Sequence, residues 1–155
     1  MIQQTATQFA LLLFLFAAWN GPAVAQGVDS EQDDSARVDS TVFVVSSPGA
    51  QTQMMAMVLA NQVQAKGASV RVLLCDQAGT LAVKGASFPV FKPLGRTPQQ
   101  LLQALIGKGA RVDVCAIFLP NTGYESTDLL EGVGQARPGP EAEDMMNPNI
   151  RYFKF

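Results

Sequence analysis

Short apolar runs rich in β-branched residues alternate along this chain with segments in which apolar residues recur at helical spacing. The runs predict buried strands over residues 41–45, 69–75 and 112–118, and a last, edge-like strand over residues 150–155. The segments between them predict helices over residues 51–66, 76–84, 98–106 and 126–131, and a last short helix from about residue 141. Strands that alternate with helices in this way are typical of crossover units in a parallel sheet.

The longest predicted helices have recognisable ends. Gly67 follows the first of them as a stop signal, and Thr97 with Pro98 provides an N-cap and a first helical position for another. The side chains of the first helix that are expected to face the core are Met55, Val58, Leu59 and Val63.

The predicted fold class is therefore α/β: an open, mostly parallel, flavodoxin-like sheet with helices on both faces. In the flavodoxin order the first strand lies between the second and the third. The ends of strands two and three would then be about 10 Å apart, because neighbouring strands are spaced by about 4.8 Å. A disulfide needs Cα atoms closer than about 7 Å, so Cys75 and Cys115 are expected to be free thiols at one edge of the sheet.

The first 25 residues have the pattern of a secretory signal peptide. A compact apolar core over residues 9–18 is followed by Ala23-Val24-Ala25, a small-x-small cleavage pattern, so cleavage is expected after Ala25. An uncleaved anchor is the alternative, because no Lys or Arg precedes the apolar core. Residues 26–40 are interpreted as a flexible acidic leader and residues 41–155 as one domain. The expected location is the periplasm or the medium, with no membrane contact after cleavage.

The composition excludes several kinds of chemistry. The chain has two cysteines and no histidine, which excludes a Ser-His-Asp triad, a Cys-His dyad and an imidazole metal ligand. Its net charge is −2 and its Lys and Arg residues are scattered, so nucleic acid is not an expected partner. The strongest nucleophile that remains is a cysteine thiolate.

Cys115 is the main candidate for chemistry. At the carboxyl edge of a parallel sheet it would lie where ligands bind, beside helix N-termini that stabilise a thiolate. Such a thiolate can attack a sulfane sulfur, hold it as a persulfide and pass it to another thiolate. Asp76 would raise the pKa of Cys75, which favours Cys115 as the nucleophile. The alternative for Cys115 is a buried, inert thiol. The accessory residues predicted at the same edge are Cys75, Asn121, Thr122 and Gly123.

The turn before the first long helix is a weaker candidate site. Ser46, Ser47 and Gly49 could present amides to an anion, although such turns more often serve only as helix caps. The chain has neither a P-loop nor a dinucleotide fingerprint. No metal or other cofactor is predicted, and the methionines at positions 54, 55 and 57 are interpreted as core residues.

The order of elements and several motifs resemble the DsrE/DsrF-like sulfur-relay proteins. The matching motifs are Leu73-Leu74-Cys75-Asp76, the segment from Gly109 to Cys115, Gly123, and Asp128-Leu129-Leu130-Glu131-Gly132-Val133. The resemblance covers residues 42–155 and implies a DsrE-like fold, a sulfur-carrying role for Cys115, and assembly into homo-trimers or hexamers. The apolar loop over residues 88–91 is then a candidate interface. Between Cys115 and Gly123 the chain lacks the second cysteine and the Arg-Gly pair of many relatives, so the exported members are the better comparison.

The sequence therefore predicts a sulfur carrier or sulfurtransferase-like protein that holds sulfane sulfur as a persulfide. Its expected partner is a small sulfur donor or the thiol of another protein. Two alternatives remain open. One is a non-catalytic oligomeric binding module of the same fold, and the other is a redox sensor that forms intersubunit disulfides.

Overall fold

A five-stranded parallel sheet organises the part of the chain that the structure describes. The computed structural model describes residue 38 and residues 40–155, so the predicted signal peptide and nearly all of the acidic leader lie outside the described residues. The strands are β1 (Ser40–Val45), β2 (Ser69–Leu74), β3 (Arg111–Val114), β4 (Val133–Gln135) and β5 (Ile150–Lys154). The α-helices are α1 (Ala50–Ala65), α2 (Pro98–Gly107), α3 (Phe118–Thr122) and α4 (Pro138–Met146), and short 3-10 helices cover Asp76–Ala82 and Ser126–Asp128.

The strand order β4-β3-β2-β1-β5 explains on which face each long helix lies. From β1 through β2 to β3 the chain moves in one direction across the sheet, and right-handed crossovers place α1 and α2 on the same face. From β4 the chain crosses back to β5, beyond β1, so α4 lies on the opposite face. The predicted α/β class, an open parallel sheet with helices on both faces, is confirmed.

The predicted order of the strands was wrong. Strand β1 lies between β5 and β2, and β2 pairs directly with β3 in the register Leu74 beside Val114. Apolar periodicity indicates that a segment is a strand, but not which strand it pairs with. The third strand also ends at Val114 instead of residue 118, and the strand β4 lies at Val133–Gln135, where no element was predicted.

The main core lies between the sheet and the helices α1 and α2. On this face β2 and β3 bury Val72 beside Val112 and Leu74 beside Val114. The cap predicted for α2 is confirmed, since the Thr97 hydroxyl accepts a hydrogen bond from a backbone N–H in the first turn of the helix. The helices α1 and α2 each connect parallel strands and run back along the sheet. Both therefore begin near the sheet edge at which β2 and β3 end.

The buried side of α1 differs from the predicted one. Met55 and Leu59 are 52% and 37% exposed, so the prediction that they face the core was wrong. Because α1 carries apolar residues on more than one face, their spacing does not determine which face is buried. Small side chains allow the closest approach to the sheet, and the buried residues of α1 are Gln53, Met54, Ala56, Met57 and Ala60.

Charged side chains hold α4 to the opposite face of the sheet. Arg71 of β2 forms ion pairs with Glu141 and Asp144 of α4, and the side chains of Arg71 and Glu141 are only 13% and 11% exposed. Burial lowers the pKa of Arg71, but the two carboxylates raise it by more, so its pKa lies above the usual value. Burial and the charge of Glu141 also raise the pKa of Tyr152.

No helix among the described residues is long and apolar enough to cross a bilayer.

Candidate functional site

Cys75 and Cys115 follow the ends of neighbouring strands and are joined by a disulfide bond. Leu74 pairs with Val114, so the next residue of each strand reaches the same point of the sheet edge. The backbone N–H of Cys115 donates to the carbonyl of Leu74 at 2.8 Å, which extends the ladder beyond the strands. The Cα atoms of the cysteines are 5.2 Å apart, within the usual range for a disulfide. The expectation of two free thiols was therefore wrong, because it placed another strand between these two.

A pocket of about 630 Å³ lies against the disulfide. This volume is within the usual range for small-molecule sites. The pocket has two walls, one from the segment after β2 and one from the segment after β3. Its lining residues are Cys75, Asp76, Gln77, Thr80, Cys115, Ile117, Phe118, Asn121 and Thr122. The structure thus brings Cys115 together with three of its four predicted accessory residues, and Gly123 follows directly after them.

Phe118 fixes the wall that follows Cys115. Its side chain is 4% exposed, and its ring stacks on that of Tyr124 with 6.0 Å between the centroids. The ring also lies over Gly79, where a Cβ atom would be 2.3 Å from Cε2 of Phe118. Gly79 belongs to the 3-10 helix after β2, so its missing side chain lets the two walls approach each other. Ile117 remains 71% exposed at the rim of the pocket.

The predicted accessory residues stabilise the short helix α3. The Asn121 side-chain amide donates to the carbonyl of Ile117 at 2.7 Å, and the Thr122 hydroxyl donates to the carbonyl of Phe118 at 2.8 Å. Gly123 ends the helix with φ of 75°, in the left-handed conformation that favours glycine. These residues therefore shape the wall beside Cys115, and Asn121 and Thr122 also line the pocket.

Asp76 is the only charged side chain among the described residues that line the pocket. Its φ of 50° is left-handed, a conformation that aspartate and asparagine adopt more readily than other residues with side chains. Its negative charge opposes the entry of anions into the pocket. Sequence reasoning found Asp76 only as a neighbour of Cys75, although its place directly after a strand indicates the ligand-binding edge.

Other lining residues were missed by the sequence analysis. Gln77, Thr80, Ile117 and Phe118 belong to the two segments that follow β2 and β3. Their position after these strands was visible in the sequence, but the strand order that brings the two segments together was not. The apolar character of Ile117 and Phe118 indicated core positions rather than a pocket wall.

The turn predicted to bind an anion does not contribute to the lining of this pocket. The amides of Ser46 and Ser47 donate to the carbonyl of Phe155 at 2.8 and 3.3 Å, and the amide of Gly49 donates to the Ser47 hydroxyl at 3.1 Å. These three amides already have acceptors within the chain, and none of the three residues lines the pocket at the disulfide. Anion binding at this turn stays a prediction, with fewer free amides than the sequence suggested.

The methionines of α1 are not gathered into a metal site. Met54 and Met57 are buried, whereas Met55 is 52% exposed on the other side of the helix. Over residue 38 and residues 40–155, no group of three or more His, Cys, Asp or Glu side chains is placed to hold a metal ion.

The bonded cysteines form the oxidised state of a dithiol–disulfide couple. In this state both sulfurs are paired within one chain, so neither is available for the intersubunit disulfide of the redox-sensor hypothesis. Reduction would release two thiols at the end of a hydrogen-bonded pair of strands, both next to the pocket. The arrangement can therefore support thiol–disulfide exchange and, when reduced, nucleophilic attack by a thiolate.

Comparison with known proteins identifies the fold. No protein-family model matches this sequence, and no curated protein matches it. The structure is similar to the YchN protein of E. coli, with a TM-score of 0.61 and 18% identity over 74% of this chain and 98% of that chain. It is also similar to a protein of unknown function from Methanobacterium thermoautotrophicum, with a TM-score of 0.61 and 16% identity over 75% and 98% of the two chains. The fold is DsrE-like, as the resemblance in sequence predicted.

Proposed function

We propose that this protein transfers sulfur, and that Cys115 carries sulfane sulfur as a persulfide when the disulfide with Cys75 is reduced. The observation that supports this proposal most is the meeting of the two cysteines against a pocket, at the carboxyl edge of a parallel sheet. Ligands of open α/β folds bind at this edge. The DsrE-like fold is consistent with the proposal, and the pocket has room for a small organic sulfur donor.

Cys115 is a better sulfur carrier than Cys75. Asp76 follows Cys75 directly, and its charge disfavours a thiolate there, whereas the chain neighbours of Cys115 are the uncharged Val114 and Ala116. The thiolate is the reactive form of cysteine, so the residue that ionises more readily reacts first. Asn121 and Thr122 line the same wall as Cys115, and their hydrogen bonds within α3 hold that wall in place.

The transfer consists of two thiolate displacements. In loading, the Cys115 thiolate attacks the outer sulfur of a hydropersulfide, forms a sulfur–sulfur bond, and releases the donor as a thiolate. The outer sulfur, with its proton, then forms the persulfide of Cys115. In unloading, an acceptor thiolate attacks that outer sulfur and Cys115 leaves as a thiolate. Neither step needs histidine, which this chain does not contain.

The disulfide must be opened before loading. A dithiol reductant does this by two successive exchange steps, which leave both cysteines reduced and the dithiol oxidised.

We also propose that the protein is exported to the periplasm or the medium. A disulfide within the chain supports this location, because such bonds persist mainly in oxidising compartments.

A second candidate function is binding without chemistry. The observation that favours it is the pairing of both cysteines, which leaves no free thiol in the oxidised protein. In this case the disulfide stabilises the end of the sheet and the pocket binds a ligand. The two functions differ in one respect that can be measured, since only a sulfur carrier gains mass when the reduced protein meets a donor.

Homo-oligomer formation, as a trimer or hexamer, remains a further proposal. It is supported by an apolar surface that includes Met55, Phe91 and Leu94, which lie around one shallow pocket, and by the neighbouring Val90, which is 64% exposed. Light scattering on the mature protein would measure the mass of the assembly directly.

Intact-mass measurement of the reduced protein tests the proposed function. The protein is reduced, freed of reductant, and mixed with cysteine persulfide. We expect Cys75→Ser to gain about 32 Da, a gain that a thiol removes, and Cys115→Ser to gain none. The two variants are matched, because each loses the disulfide and keeps one thiol. Equal gains in both variants, or none in either, would contradict the assignment of Cys115.

A further inference from the structure

We propose that Cys75 resolves the Cys115 persulfide: its thiolate attacks Cys115, releases hydrosulfide and re-forms the disulfide seen in the structure. This inference rests on the proposed function, because it requires that Cys115 is loaded with sulfur. When both cysteines are present, the sulfur loaded onto Cys115 is then expected to leave as hydrosulfide and not to remain as a persulfide. Persulfides are then reduced to hydrosulfide at this site when no acceptor intervenes, and the protein acts as a persulfide reductase.

The position of Cys75 supports a resolving role. The two sulfurs are bonded in the oxidised state, so the reduced protein need move them apart by only a short distance. Rigid elements hold them: Cys75 donates its backbone N–H to Val45 at 2.8 Å, and Cys115 donates its own to Leu74 at 2.8 Å. A nucleophile that is held beside its target reacts as if it were present at a very high local concentration.

The chemistry of the step is balanced without another reactant. The Cys75 thiolate attacks the inner sulfur, Sγ of Cys115, and forms the Sγ–Sγ bond. The bond between that Sγ and the outer sulfur breaks, and its electron pair leaves with the outer sulfur as hydrosulfide. The outer sulfur is reduced by two electrons, and the two cysteine sulfurs are oxidised to the disulfide.

Asp76 favours this division of roles between the cysteines. Its carboxylate directly follows Cys75 in the chain, whereas the chain neighbours of Cys115 are uncharged, so the first attack on the donor is assigned to Cys115. Cys115 is thus suited to be loaded first and Cys75 to attack afterwards.

The disulfide form seen in the structure is then the form of the protein that one turnover produces. A dithiol reductant restores the two thiols and is itself oxidised, so the sum of the cycle is a persulfide and a dithiol converted to a thiol, hydrosulfide and a disulfide. The donor is a hydropersulfide of a small thiol or of a protein cysteine. The acceptor thiol of the proposed relay competes with Cys75 for the same persulfide.

A single-turnover experiment on the unmodified sequence tests the inference. Mature wild-type protein is reduced, freed of reductant, and mixed with one equivalent of cysteine persulfide. Hydrosulfide is trapped with monobromobimane, and the protein mass is recorded at the same times. We expect about one hydrosulfide per chain, and a protein mass about 2 Da below that of the dithiol form. In Cys75→Ser the persulfide should persist at least about tenfold longer, without release of hydrosulfide.

The outcomes separate the two proposals. Persistence of the added sulfur on wild-type protein for as long as on Cys75→Ser would overturn the resolving role and leave sulfur carriage by Cys115 intact. Absence of any sulfur gain in Cys75→Ser would overturn the proposed function itself. Release of hydrosulfide by Cys115→Ser at the wild-type rate would also contradict the inference, because that variant has no Cys115 sulfur to attack.

Discussion

The ring of Phe118 occupies the space in which Gly79 would carry a side chain. A Cβ atom at position 79 would lie 2.3 Å from Cε2 of the ring, much closer than two carbon atoms can approach. Gly79 belongs to the segment after Cys75, and Phe118 belongs to the segment after Cys115. The segments that form the two walls of the pocket are therefore packed directly against each other.

The substitution Gly79→Ala should displace Phe118 and open the pocket. We expect a loss of about 1–3 kcal/mol in the free energy of unfolding, the usual cost of overpacking a core, measured by denaturant titration. Alkylation of Cys115 in the reduced protein should also become faster. Gly107→Ala is the control, because a Cβ there has no atom within 4 Å, and it should leave the free energy of unfolding unchanged or raise it by up to about 1 kcal/mol. Equal effects of the two substitutions would contradict this packing.

Reduction of the disulfide should lower the stability of the domain. Cys75 and Cys115 are 40 residues apart, and closure of a loop of this length restricts the unfolded chain by up to about 4 kcal/mol. We therefore expect the free energy of unfolding to fall by about 2–4 kcal/mol when a dithiol is added. The double variant with serine at both positions should not respond to the reductant. A wild-type protein equally stable in both states would contradict this account.

The ion pairs of Arg71 should be important for the attachment of α4. Arg71→Met removes the closest ion-pair partner of the buried Glu141 and leaves only Arg111, at 3.9 Å. Breaking a buried ion pair in this way costs up to about 3–5 kcal/mol. Unfolding of the variant at neutral pH would measure the cost. Arg151→Met is the control, because Arg151 is exposed on β5 and its loss should cost less than about 0.5 kcal/mol. A cost below about 1 kcal/mol for Arg71→Met would show that the pair is as weak as a surface ion pair.

Asp76 should determine which sulfur donors load the protein. It is the one charged residue among the described residues that line the pocket, so its negative charge repels an anion such as thiosulfate. Asp76→Asn removes the charge, and asparagine also tolerates the left-handed backbone at this position. We expect the variant to be loaded several-fold faster by thiosulfate, with a smaller change for cysteine persulfide, which carries less negative charge, as measured by intact mass over time. Unchanged loading by both donors would exclude this role for Asp76.

Local signals in the sequence were sufficient for much of the fold. The strands β1 and β2 and the helix α2 were predicted close to their observed bounds, because β-branched runs and the Thr97-Pro98 start are local features. The strand β4 was missed because it has only three residues, Val133-Gly134-Gln135, too few to show a period. The alternation of strands and helices then determined the fold class but not the strand order.

The site could be predicted only in part, for the same reason. Cys115 was found because its position after an apolar strand marks the ligand-binding edge. Its bond to Cys75 depends on the pairing of β2 with β3, a contact between distant residues that no local pattern encodes. The contact between Gly79 and Phe118 likewise follows from the strand order, since it joins the segments after those two strands.

Location of the added sulfur within the chain tests the central claim most directly. Reduced Cys75→Ser would be treated with cysteine persulfide, alkylated to trap the persulfide, and digested for peptide mapping. The account predicts one extra sulfur, about 32 Da, on the peptide that contains Cys115, and its loss on treatment with a thiol. A Cys115 peptide that carries only the alkyl group, after exposure to a donor that loads a free thiol under the same conditions, would contradict sulfur carriage by this protein.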